Sequence, residues 1–382
     1  MASGVQFIDL AAQQARIKID LDRRIQAVLA HGGYIMGPEV AELETRLAHY
    51  TGTKHCISCA NGTDAILMAL MALGVGRGDI VFAPTFTFVA TAEVISLLGA
   101  IPYFVDVEEH SFNIDPVDLE RQIARAKKAQ NGELKGIIVV DLFGQPADYT
   151  TISAIAKRNH LFVIEDSAQA FGAEYQTKKT CSFGDVGTTS FFPAKPLGCY
   201  GDGGAIFCSD DGIAERLRSI RVHGQGKHKY ENVRIGLNGR LDTMQAAVLL
   251  AKLEVFEDER RQRDAVAERY HHGLRGLQEA GIVSLPLLEP DRSSVWAQYT
   301  ITLKKSAREE VIGRLKTTGI PTMVYYPIPL HLQAAFSYCR YQRGDFPIAE
   351  RLAEQVLSLP MHPYLDTVTQ EKIVAAFCDA VR

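Results

Sequence analysis

The sequence predicts an α/β protein: a large domain built on a mainly parallel, mixed sheet, with a smaller α/β domain at the C-terminal end. Three observations carry this expectation. Short β-branched and aromatic runs alternate with helix-length segments through the first half of the chain. Strands such as Gly136-Ile-Ile-Val-Val140 are apolar without alternation. After about Leu241 the texture changes to a long helical pattern. Alternation of strands and helices predicts crossover units with helices on both faces of a parallel sheet. A continuously apolar strand is expected where both faces are covered.

The strands are expected at Asp79–Ala83, Ile101–Val107, Gly136–Phe143, Leu161–Glu165, Gly187–Phe192 and Ala205–Cys208. Helices are expected between them at Thr63–Leu73, Thr87–Leu98, Pro116–Ala129 and Thr151–Asn159. The pattern Leu241–Gln278 reads as a helical connector, and the charged stretch Glu257–Arg263 marks a hinge in it. The C-terminal part offers a strand at Gln298–Lys304 and helices at Arg308–Thr317 and Ile348–Ser358. No repeat, low-complexity tract or Gly/Ser-rich linker separates the two parts, so tight packing between them is expected.

Length and charge narrow the function classes. A chain of 382 residues, 47% apolar and 23% charged, is long enough for two or three domains and a large core. Lys+Arg 41 against Asp+Glu 45 leaves a net charge of −4, which argues against a nucleic-acid partner held by a basic field. The apolar run Ala65–Val75 is 11 residues, short of the roughly 20 that a membrane span needs. The N-terminus shows no basic segment followed by an apolar one, so the cytoplasm is the expected compartment. Seven scattered cysteines fit a reducing environment. Cys56 and Cys59 form one C-x-x-C with no second pair nearby, so no metal site is expected; two thiols on a buried strand explain them.

Lys195 lies at the end of an expected strand and opens a glycine-rich loop, Lys195-Pro-Leu-Gly-Cys-Tyr-Gly-Asp-Gly-Gly204. Strand ends border the ligand crevice of α/β proteins, and a desolvated amine there becomes a nucleophile suited to Schiff-base chemistry. Taken alone it reads more readily as a solvated lysine in a turn, as most lysines are. Asp166 closes the apolar run Val163-Ile-Glu-Asp166, where a carboxylate reaches the same crevice or caps a helix. Pyridoxal phosphate requires such an acid, because its ring nitrogen must hold a proton to draw electrons. Asn61-Gly62-Thr63-Asp64 enters an apolar helix, where free N–H groups and a hydroxyl suit a phosphate, with Ser190 a further donor. Phe88 follows the next strand and either covers an aromatic cofactor or belongs to the core.

Together these segments resemble a known family. Asn61-Gly-Thr-Asp, Thr87-Phe-Val-Ala-Thr, Glu165-Asp-Ser-Ala-Gln, Ser190-Phe-Phe-Pro-x-Lys-Pro-Leu-Gly, Gly201-Asp-Gly-Gly and Gly236-x-Asn-x-Arg-Leu-Asp are similar to the DegT-like nucleotide-sugar aminotransferases. Those enzymes have the aspartate-aminotransferase-like fold (fold type I) and use pyridoxal 5'-phosphate. The resemblance implies a large domain over 1–255 and a small one over 256–382. It implies that Lys195 holds the cofactor and moves the proton, that Asp166 pairs with the ring nitrogen, and that Gln169 meets the phenolic oxygen. Ala168 and Phe88 would take opposite ring faces. Gly62, Thr63 and Ser190 would hold the phosphate, joined by Asn238 from the partner subunit of a homodimer. L-Glutamate would donate the amino group through a pyridoxamine form of the cofactor.

Cys56-Ile-Ser-Cys-Ala-Asn-Gly-Thr-Asp-Ala, Tyr326-Pro-Ile-Pro-Leu and Leu359-Pro-Met-His-Pro-Tyr-Leu-Asp-Thr narrow the resemblance. They are similar to the subgroup acting on UDP-2-acetamido-2-deoxy-3-oxo-D-glucuronate for bacterial surface polysaccharide. There Arg240 would meet the sugar carboxylate from across the dimer, or instead form a structural ion pair. Tyr325 stands where that subgroup has an imidazole, and His331 where it has an asparagine. A neutral 3-oxo sugar, linked to UDP or dTDP, therefore stays open. His331 is expected either near the sugar or at the surface. A non-catalytic, cofactor-binding sensor is the alternative of another class.

Overall fold

The computed structural model describes residues 4–382. Two helices, α1 (Leu10–His31) and α2 (Pro38–Thr51), precede the first strand. Then follow β1 (His55–Cys59), α3 (Gly62–Ala72), β2 (Ile80–Pro84), α4 (Ala90–Leu97), β3 (Ile101–Val105), α5 (Pro116–Ala129), β4 (Leu134–Val140), α6 (Tyr149–Asn159) and β5 (Phe162–Asp166). A small hairpin, β6 (Glu174–Tyr175) and β7 (Lys178–Lys179), leads into β8 (Val186–Ser190), β9 (Gly204–Cys208) and α7 (Asp211–Ile220). The sheet runs β1-β9-β8-β5-β4-β2-β3, and β9 alone is antiparallel to its neighbours. The alternating α/β order thus gives the mainly parallel sheet that the sequence predicts.

Side chains of one strand alternate between two cores, which explains the absence of polar alternation. Ile138 and Ile164 pack against α3, α4 and α7, while Ile137, Val139 and Val163 pack against α5 and α6. Cys56 and Cys59 are buried free thiols on β1. No described helix is long and apolar enough to cross a membrane.

The connector is interrupted, but not where its charges lie. Helix α8 (Thr243–Leu253) ends two residues before α9 (Phe256–Glu279) begins. The turn lets Phe256 bury against Tyr50 and Phe171. Glu257, Asp258 and Glu259 occupy the first turn of α9, where they complement the helix dipole instead of marking a hinge. A second core follows, from α9, β10 (Val283–Ser284), β11 (Tyr299–Leu303), α10 (Arg308–Thr317) and α12 (Thr367–Ala380). The helix expected over Ile348–Ser358 is shorter: α11 (Pro347–Gln355) gives way to β12 (Val356–Leu359), which pairs with β11. Pairing and full burial outweigh helical propensity there.

One contact pins α11 to the large sheet. No side chain of its own segment caps it. Instead Asp106, just past β3, accepts from the N–H of Ala349 at 2.9 Å and of Ile348 at 3.1 Å. The carboxylate is buried and sits at the positive end of the helix. Asp106→Ala would leave these donors without an acceptor. The expected cost is about 1–3 kcal/mol in denaturant unfolding, with a smaller loss for Asp106→Asn, which keeps an acceptor oxygen.

Candidate active site

A cavity of about 640 Å³ opens at the C-terminal ends of β4, β5 and β8, facing the N-terminus of α3. Open parallel sheets place ligands at this edge. Val140, Asp166 and Ser190 are the last residues of their strands, and Lys195 follows β8 by one tight turn in which its N–H bonds to Phe192 O at 2.8 Å. Tyr325, Tyr326 and Gln298 close the cavity from the C-terminal part, and Ile8 from the N-terminal segment.

The helix entrance is shaped for an anion. Asn61 Oδ1 caps α3 by accepting the Asp64 N–H at 2.7 Å, and the first intrahelical bond runs from Ala65 N to Asn61 O. The N–H groups of Gly62 and Thr63 therefore have no intrahelical partner. A Cβ at Gly62 would stand 2.6 Å from Ser190 Cβ, so glycine alone lets the two segments meet. Backbone donors, a threonine hydroxyl and a serine hydroxyl thus line one end of the cavity.

At the other end lies a lightly paired carboxylate. Asp166 is buried; Oδ1 accepts the Ala168 N–H at 3.1 Å, and Oδ2 has only a 3.5 Å contact from the Thr91 hydroxyl. Burial raises its pKa, opposed by the Ala168 bond and by the charge of Lys195. The Lys195 ammonium is shifted the other way: burial lowers its pKa and Asp166 restores part of it. The neutral, nucleophilic amine is correspondingly more populated near pH 7.

Gln169 is held rigidly. Its Oε1 accepts the Phe143 N–H at 2.9 Å, and its Nε2 donates to Tyr326 Oη at 3.0 Å. Ala168 lines the cavity beside it, and Phe88, 54% exposed, lies on another wall. The structure thus gathers Gly62, Thr63, Phe88, Asp166, Ala168, Gln169, Ser190, Lys195 and Tyr325 around one space.

Three other residues lie elsewhere. Asn238 is exposed and Arg240 half-buried, and neither lines this chain's own cavity. His331 neither lines the cavity nor lies at the surface: its ring is enclosed, within 2.7 Å of Thr85 Oγ1 and 3.1 Å of Glu350 Oε1, and set edge-on to Phe346. It ties the end of β2 to α11, because both ring nitrogens are already occupied. Tyr326, Thr91, Phe192, Asp202 and Gln298 were not singled out by sequence. The adjacent aromatics of Tyr325-Tyr326 were a usable signal; Gln298, inside an ordinary strand edge, carried none.

The site's chemistry agrees with what this chain resembles. The DegT/DnrJ/EryC1/StrS aminotransferase family matches residues 16–378. A UDP-2-acetamido-2-deoxy-3-oxo-D-glucuronate aminotransferase of Pseudomonas aeruginosa is 51% identical over 372 residues, 97% of this chain and 99% of its own. Among solved structures, a DegT DnrJ EryC1 StrS aminotransferase from Brucella abortus is 50% identical, with TM-score 0.94 and coverage of 98% and 99% of the two chains. S. venezuelae DesV, solved in complex with a ketimine intermediate, is 36% identical, with TM-score 0.93 and coverage of 100% and 99%. Matched along nearly its whole length in sequence and in fold, the chain belongs to the DegT/DnrJ/EryC1/StrS aminotransferase family.

Proposed function

We propose that this enzyme uses pyridoxal 5'-phosphate to move an amino group from L-glutamate to the 3-oxo sugar UDP-2-acetamido-2-deoxy-3-oxo-D-glucuronate. The carrying observation is the placement of Lys195, lowered in basicity, and the lightly hydrogen-bonded carboxylate of Asp166 in one cavity whose far end is an anion cradle. The P. aeruginosa relative supports the choice of sugar. The residues fit the cofactor: donors at Gly62, Thr63 and Ser190 suit its phosphate, and the open oxygen of Asp166 suits a protonated ring nitrogen. Bound there, the cofactor supplies an electrophilic carbonyl and an electron sink.

Lys195 Nζ would hold the cofactor and, once released, carry the proton from the donor's Cα to the cofactor carbon, with the transfer running in the opposite sense in the second half-reaction. Asp166 would keep the ring nitrogen protonated. Gln169, fixed by Phe143 and Tyr326, would orient the ring through its phenolic oxygen, with Ala168 and Phe88 on its two faces. Tyr325 would face the sugar. In this reading residues 1–255 form the cofactor-binding domain, and 256–382 bring Gln298, Tyr325 and Tyr326 to it.

Asn238 and Arg240 would serve the cavity of the partner in a homodimer. Two facts support this. The loop before them exposes Tyr230 at 88% and Ile235 at 84%, an apolar surface suited to a second copy. Arg240 Nε is buried without an acceptor among the described residues. Its guanidinium would pair with the uronate carboxylate. The product would feed synthesis of bacterial surface polysaccharide such as lipopolysaccharide O-antigen in the cytoplasm.

Lys195→Ala should lower kcat by at least about 10³-fold; substantial residual transamination would refute the role of Lys195. L-Glutamate should bleach the visible band of the bound cofactor, and a band indifferent to every amino acid would instead support a sensor. Arg240→Ala should lower kcat/KM about tenfold to a hundredfold on the uronate, with little effect on UDP-3-oxo-GlcNAc. Equal losses on both sugars would remove the carboxylate role.

A further inference from the structure

Directly behind Asp166 lie two carboxyl groups that the proposed chemistry does not use. Glu165 precedes it on β5, and Asp141 follows β4 and donates its N–H to Asp166 O at 3.0 Å. Both are 0% exposed. The Ser167 hydroxyl stands between them, 2.8 Å from Asp141 Oδ2 and 2.7 Å from Glu165 Oε1. A hydroxyl has one hydrogen and can donate to only one of the two. The other contact needs a proton on a carboxyl group.

The remaining partners decide which. Glu165 Oε1 also accepts the Cys181 N–H at 2.5 Å, and Oε2 accepts the Phe183 N–H at 2.7 Å. A proton on Oε1 would weaken its acceptance of the Cys181 N–H, and a proton on Oε2 would leave the Ser167 contact unserved. Asp141 Oδ1 accepts from Ala147 N and from the Tyr149 hydroxyl, both at 2.9 Å, whereas Oδ2 receives no N–H: it meets the Ser167 hydroxyl, and the Glu165 carboxyl lies within hydrogen-bonding reach of the same carboxyl group, so a proton on Oδ2 displaces no donor. The other titratable groups facing the pair are Tyr149 and Cys181, with Cys56 of β1 beyond Cys181, and none is a cation. Burial pushes both carboxyl groups up.

We propose that Asp141 and Glu165 share one proton across Ser167, seated on Asp141 Oδ2, and act as positioning residues for the Asp166–Gln169 turn. Asp141 then donates to Ser167, and Ser167 to Glu165. Ser167 is locked at both ends, since its own N–H bonds to Thr188 O at 2.9 Å. The pair leaves one negative charge behind Asp166, which favours a proton on whatever nitrogen Asp166 meets. This last consequence rests on the proposed function; the shared proton does not.

Asp141→Asn is the discriminating variant. Its amide would donate to Ser167 where the proton sits, accept the Ala147 N–H with its oxygen, and keep the charge at one. Glu165→Gln would set an amide donor against the N–H of Cys181 or Phe183. Unfolding of the full-length holoenzyme would be followed between pH 5 and 8, with titration of the visible cofactor band in parallel. A carboxyl group whose pKa is raised by folding stabilises fully below its unfolded value of about 4, and the effect fades as pH rises through the folded value.

The folding constant of the wild type relative to Asp141→Asn should therefore fall up to about tenfold per pH unit until the pair titrates. A pH-independent ratio, or an Asp141→Asn chain that does not fold, would overturn the proposal. The pH midpoint of the cofactor band should be the same in both. A midpoint about one unit lower in Asp141→Asn would mean that both carboxylates are ionised in the wild type, which also overturns it. Glu165→Gln should bind pyridoxal phosphate at least about tenfold more weakly. Wild-type behaviour in Glu165→Gln would place the proton on Glu165 and contradict the assignment. If the wild type itself binds no pyridoxal phosphate, the proposed function fails while the unfolding comparison still judges the pair.

Discussion

The site depends on a carboxylate and an amine being held in one cavity, both withdrawn from water, without a tight ion pair neutralising them. Withdrawing either group from water is costly, and their mutual attraction only partly offsets it. The opposed shifts of Asp166 and Lys195 express that balance. It holds because each group sits on a rigid element. Asp166 ends a central strand of the seven-stranded sheet, and Lys195 follows the neighbouring strand through a turn tied by its own backbone. Neither can relax towards water without disturbing a strand that is buried on both faces.

The C-terminal part is joined to this sheet by polar contacts that are individually small and largely withdrawn from water. Asp106 receives the N-terminus of α11, His331 bridges Thr85 and Glu350, and Gln169 reaches Tyr326. All three run from strand ends of the large sheet to the segment 326–350. The cavity wall formed by Tyr325 and Tyr326 is thereby fixed relative to Asp166. Such a preorganised wall suits a reaction in which one ring must be held flat while a proton moves across its face.

Much of this was legible in the sequence, and the residues show why. An apolar run stopping at a polar residue marks a strand end, so Asp166 is placed at the sheet edge by sequence alone, and Lys195 by the glycine-rich loop after its strand; Ser190 falls inside the expected strand Gly187–Phe192, whereas β8 ends on it. Gly62 was readable as a turn glycine, although its closeness to Ser190 was not. What escaped was set by tertiary context. His331 follows a proline-rich segment that looks exposed, yet Thr85 and Glu350 enclose it. Val356–Leu359 continues a helical pattern but is recruited as a strand by β11. The charges at Glu257–Glu259 look like a hinge because periodicity reports apolar faces, not helix dipoles.

The central claim is that Lys195 is the amine poised for the cofactor. The chain contains a second candidate by basicity alone: Lys252 is buried, has no hydrogen-bond acceptor among the described residues, lies over the Tyr200 ring at 4.3 Å and has its pKa lowered to about 8. It does not line the cavity. The most direct measurement is to load the full-length protein with pyridoxal phosphate, reduce it with borohydride and map the modified peptide by mass spectrometry. The label should fall on Lys195. Stoichiometric labelling elsewhere, above all at Lys252, would contradict the account.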